Sequence, residues 1–140
     1  MAEFEWVKER AKCSAVEMFK KLELGARSDV DAVNSLRSPG DHIKFSVAEQ
    51  GNRFSVIRES DLANKSAAVD FALNQSIIDI SDGVLVHFSA LVTLNNDGEC
   101  KLLVKDQELE LWQVRRKALE NLFFSEIHVT IERIGRQYSA

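Results

Sequence analysis

The chain has 140 residues, 45% hydrophobic and 29% charged, a mix that excludes a disordered, collagen-like or coiled-coil chain and suits one globular domain spanning residues 1–140. Its net charge is −4 and its pI is near 5.4. Acidic and basic residues are interspersed, and the longest basic run is only Arg115-Arg116-Lys117, so nucleic acid is not an expected partner.

No stretch approaches the roughly 18 consecutive apolar residues of a membrane span, so no membrane association is expected. The opening "MAEFEWVKER" is charged and lacks an apolar centre, unlike a secretory or transit peptide. Cys13 and Cys100 lie far apart in sequence and suggest no disulfide framework. These features together predict a cytoplasmic protein.

Residues 3–12, "EFEWVKERAK", begin as an alternation with Phe4 and Trp6 on one side and Val7, Ala11 and Cys13 on the other. The aromatic content predicts a strand. Ser14 and Glu17 then spell a capping box. The helix behind it carries Val16, Phe19, Leu22, Ala26, Val30, Val33 and Leu36 at gaps of three and four, one face of a 3.6-residue period. Gly25 lies inside this run, where it costs about 1 kcal/mol relative to Ala and suggests a kink or break. Pro39 biases Ser38 away from helical angles and ends the helix.

The period then becomes two. Ile43, Phe45 and Val47 alternate with polar and small residues, Gln50-Gly51-Asn52 turns, and Phe54 and Val56 alternate again, giving a hairpin. After a polar connection at 59–66, Val69, Phe71 and Leu73 predict a strand, and Ile77, Ile78 and Ile80 a short one. Asp82-Gly83 is a hairpin signal. A long strand is predicted from Val84 to Leu94, turning at Asn95-Gly98 into "ECKLLVK". The segment 107–123 opens with alternation at Leu109 and Leu111. It then becomes helical through Val114, Ala118 and Leu122, predicting a helix over about 111–123. Ile127, Val129 and Ile131 suggest a last strand.

Short turns join strands directly, which forbids parallel crossovers. The expected fold is therefore α+β: an antiparallel meander sheet of about six to seven strands packed on a long N-terminal helix and a C-terminal helix.

Chemistry is sparse. Three scattered histidines and no closely spaced Cys or His pair argue against zinc, and no phosphate loop or nucleophile elbow is present. No cofactor and no enzymatic activity are expected. Cys13 precedes a helix N-terminus, but nothing in the spacing links a histidine to it, as thiol catalysis needs. It reads as a buried residue stapled to Met18. Cys100, sharing a face with Leu102 and Val104, reads as core too. Trp6 and Trp112 are expected to anchor their elements to the core.

The strand 84–94 offers the sharpest functional hint. One face, from Val84 to Leu94, is wholly apolar. The other carries Leu85, His87, Ser89, Leu91 and Thr93, and Leu103 joins it from the neighbouring strand. A solvated sheet face alternates more cleanly than this. Leu85, His87, Ser89, Leu91 and Leu103 are thus the candidate contact surface of a non-catalytic interaction module, with a protein partner or a second copy as occupant. The alternative is a small-molecule binder whose apolar pocket between sheet and helix is lined by Phe45, Phe54, Phe71 and Phe88.

Overall fold

A computed structural model of the protein describes residues 3–61, 65–84 and 86–125. Three helices, α1 (Trp6–Lys12), α2 (Ala15–Ser35) and α3 (Leu111–Phe124), accompany seven strands. The strands are β1 (Ile43–Gln50), β2 (Arg53–Ser60), β3 (Lys65–Asn74), β4 (Ile77–Ser81), β5 (His87–Leu94), β6 (Cys100–Val104) and β7 (Gln107–Leu109). They form one sheet in sequence order, each antiparallel to the next. The fold is the α+β meander that the hairpin succession implies.

Turn chemistry sets the register. Gly51 takes a φ of +62° between β1 and β2. Lys105 and Asp106, at +51° and +65°, occupy the two central positions between β6 and β7, where hairpin turns of this hand require positive φ. That turn makes β7 the seventh strand out of the alternation at Leu109.

One sheet face is sealed by α2 and α3. Phe19, Leu22, Ala26, Val30 and Val33 of α2 are buried, as are Val114, Ala118, Leu119, Leu122 and Phe123 of α3. They meet the inward residues Phe45, Phe54, Val56, Phe71, Ile78, Ile80, Val92 and Leu102 of the sheet. Ser14 caps α2 as its sequence indicates, accepting the Glu17 N–H at 3.1 Å. At the head of α3 the Glu110 N–H donates to the Gln113 side chain at 2.7 Å.

Several expectations are corrected. Residues 6–12 are helical, not a strand. The alternation covers only Glu3 to Trp6, and the following Lys, Glu, Arg and Ala are strong helix formers. Gly25 does not break α2; a Cβ there would collide with the Arg115 guanidinium of α3, which crosses above it. Val16 and Leu36, at the two ends of the apolar stripe, are exposed because the stripe outruns the surface it packs on. Trp6 and Trp112 are 63% and 54% exposed rather than buried in the core. The long strand starts at His87, not Val84. The Asp82 carboxylate accepts the N–H groups of Val84 and Val86 at 2.7 and 2.9 Å, which bends that stretch into a turn and leaves Val84 in solvent. The expected strand at Ile127–Ile131 lies outside the described residues.

The largest correction concerns the cysteines. Cys13 and Cys100 are joined by a disulfide, with Cα atoms 5.3 Å apart at a sequence separation of 87. Both face the core as their flanking residues imply. The path of α2 over the sheet brings its first residues to the start of β6, and no spacing in the chain encodes that path.

Candidate functional site

The sheet face opposite the helices is built from every second residue of each strand. Register places Ser55, Asp70, Ser81 and His87 in one row across β2 to β5. The next row is Arg53, Ala72, Asp79 and Ser89. Beyond it Asn74, Ile77, Leu91, Leu103 and Glu108 form a third, across β3 to β7. The face is therefore polar toward one end and carries three adjacent large aliphatic side chains toward the other.

The polar rows satisfy themselves. Ser55 Oγ donates to the Asp70 carboxylate, and Ser89 Oγ donates to Asp79 Oδ1 at 2.6 Å. Each of these two hydroxyls is thus committed to a carboxylate on the neighbouring strand. On β1 to β3 the small residues Ser46, Ala48, Ala68 and Ala72 share this face with larger ones, Ile57 lying between Ser46 and Ala68. A shallow depression of about 560 Å³ lies over Gln50, Arg53, Ala72 and Asp79.

Of the residues singled out by sequence, His87 and Ser89 are exposed and outward, Leu91 is outward at 40% exposure, and Leu103 is outward and half-buried. The structure brings these four onto adjoining strands. Leu85 lies outside the described residues. The sequence reading missed Ile77, 42% exposed, which pairs with Leu91 and completes the aliphatic row. Its parity with Asp79 was the available signal.

The four phenylalanines occupy the opposite face and are packed solid. Phe54 stacks on Phe71 at 4.5 Å between centroids, Phe19 leans on Phe54 at 5.2 Å, and Phe45 meets Phe123 edge-on at 5.0 Å. Phe88 lies beneath the Lys117 ammonium at 5.3 Å. None of the four lines the concavities described here.

Two further concavities lie on the helix side. A groove of about 530 Å³ runs between the start of α2, β6 and the start of α3, with Lys21, Cys100, Lys101, Glu110, Trp112 and Arg115 among its walls. Glu110, 3.3 Å away, accepts a hydrogen bond from Lys101 and holds its ammonium pKa above the usual lysine range. Arg115 is bound to Asp29 at 2.7 Å. The other concavity, about 370 Å³, lies between α2 and α3 beside Leu36, Trp112 and Phe124. Among the described residues, no group of three or more His, Cys, Asp or Glu side chains is placed to hold a metal ion, and no helix is long and apolar enough to cross a membrane.

Comparison with known proteins finds no matching family model, no matching curated protein and no matching solved structure. The fold and the surface carry the functional reading by themselves.

Proposed function

We propose that this protein is a non-catalytic interaction module that binds through the outer face of its sheet, with a second copy of the same chain as the simplest occupant. The observation that carries the reading is the outward row Ile77–Leu91–Leu103, three aliphatic side chains side by side on a face whose other residues, Ile57 apart, are mostly small, polar or charged. Isolated exposed leucines need no explanation, but contiguous ones do. Seven strands of three to ten residues, at ~4.8 Å spacing and ~3.3 Å per residue, present roughly 750 Å², close to the ~800 Å² per partner of a stable interface. The polar rows at His87, Ser89 and Asp79 would supply the rim.

Light scattering after size exclusion tests this. The expected result is a dimer at micromolar concentration that Leu91→Asp converts to a folded monomer. A strict monomer at high concentration removes the homodimer, and the same surface then has to be tested against other proteins.

A second reading, small-molecule binding, rests on the groove between β6 and the starts of α2 and α3, whose volume is within the range of ligand sites. It does not involve the phenylalanines. A thermal shift against a metabolite panel, lost on Trp112→Ala and retained on Leu91→Asp, supports it over the first reading.

Cysteine spacing points to the cytoplasm, whereas the Cys13–Cys100 bond favours an oxidising compartment, where such bonds persist. Thiol counting on protein trapped with an alkylating agent at lysis decides between them.

A further inference from the structure

The attachment of α1 differs from that of every other helix. It is seven residues long and has no buried residue, and a helix so short does not hold itself in water. Phe4, Trp6 and Val7 are all more than half exposed. Among the described residues α1 packs against β5, and its side-chain ties are the Phe4 ring over Gly98, a 3.4 Å contact from Arg10 Nη2 to Ser76 Oγ, and a bond from Arg10 Nη1 to the Cys13 carbonyl at 3.2 Å. The last stays within the same segment. In contrast, α2 buries five side chains of its own. At the junction between the two helices stands Cys13, 4% exposed and bonded to Cys100. Cys100 lines the open groove beside β6.

We propose that the Cys13–Cys100 bond is a reducible tether that decides whether α1 stays docked against the turn end of the sheet. The reductant is a dithiol. Its thiolate attacks Cys100 Sγ, the sulfur reached from the groove, forming a mixed disulfide and releasing Cys13 as a thiolate. Attack and release follow ordinary thiol–disulfide exchange. The second thiol of the reductant then attacks its own sulfur in the mixed disulfide, releasing Cys100 and closing a ring disulfide. Two electrons pass from the dithiol to the protein, and its two protons supply the two cysteine thiols. Residues 3–12 are then free with Phe4, Trp6 and Val7, while α2, α3 and the sheet keep their own core.

Hydrogen–deuterium exchange on the full chain, with and without dithiothreitol, tests this. On reduction the amides of residues 9–13 are expected to exchange at least tenfold faster, reaching free-peptide rates. Strand amides of β2 to β5 are expected to stay protected, and tryptic cleavage after Lys8, Arg10 and Lys12 to accelerate. The Cys13→Ser/Cys100→Ser variant should show the released pattern from the outset and no response to dithiothreitol. If that variant does not fold, the reduced wild type carries the test. The proposal is overturned by a bond that resists dithiothreitol in the folded protein, by α1 exchange that does not change, or by strands that lose protection together with α1.

Discussion

Asn34 shows how one polar side chain closes an edge. Among the described residues, β1 has a neighbouring strand on one side only. The Asn34 amide donates to the Phe45 carbonyl at 2.9 Å and accepts the Phe45 N–H at 3.1 Å, standing in for the missing strand and blunting an exposed edge. Asn34→Leu should cost about 1–3 kcal/mol in urea unfolding, since it strands two half-buried backbone groups. Nearby, Asp41 accepts the Ile43 N–H at 2.9 Å and is then bonded to Arg37, and these hold its carboxyl below the usual range in that order of importance. A carboxyl lowered on folding adds stability above its unfolded pKa, and that contribution disappears as pH falls through the folded value. In an NMR titration Arg37→Ala should therefore raise the Asp41 pKa only part of the way; full return to the ordinary range would reverse the order. The inward phenylalanines were legible from alternation alone. Asn34 was not, because a polar residue near a helix end gives no sign of the backbone it will meet.

Helices α2 and α3 meet over a residue chosen for its missing side chain. Arg115 lies across Gly25 to reach Asp29 at 2.7 Å. Gly25→Ala sets a helix-propensity gain of about 1 kcal/mol against displacement of that mostly buried pair, worth ~1 kcal/mol. The substitution should therefore be close to neutral in the wild type. It should stabilise by about 1 kcal/mol once Arg115→Ala has removed the obstruction, and thermal unfolding of the four-member cycle measures the coupling. Additive effects would mean that Arg115 simply swings aside. At this scale the sequence was read well where an element carries its own start signal, as Ser14 and Glu17 do for α2. It was misread at α1, where four alternating residues outweighed the helix formers behind them. The kink expected at Gly25 failed for a tertiary reason: the glycine serves the neighbouring helix, not the bend. The disulfide was illegible for the same kind of reason, since it depends on where α2 begins relative to β6.

Seven strands in sequence order make the whole molecule a single curtain with one dry face and one wet face, and strand parity assigns each residue to its side. Parity was readable for β1 to β6 once the turns were located. What covers the wet face was not, because a sequence records that Leu91 and Leu103 point outward but not what meets them. The two faces predict opposite responses three residues apart on β5. Phe88 is inward and 7% exposed, so Phe88→Ala should cost about 3–5 kcal/mol through the cavity it leaves, with association weakened only as far as folding is. Leu91 is outward and 40% exposed. Leu91→Asp should leave the stability of the monomer within about 1 kcal/mol while weakening self-association roughly 30-fold or more, the effect of losing a central contact of ~2 kcal/mol. Denaturation at a concentration well below the dimer midpoint, paired with sedimentation across a dilution series, separates the two quantities. A Leu91→Asp protein that unfolds as readily as Phe88→Ala would place that side chain in the fold's own core and leave the outer face without its anchor.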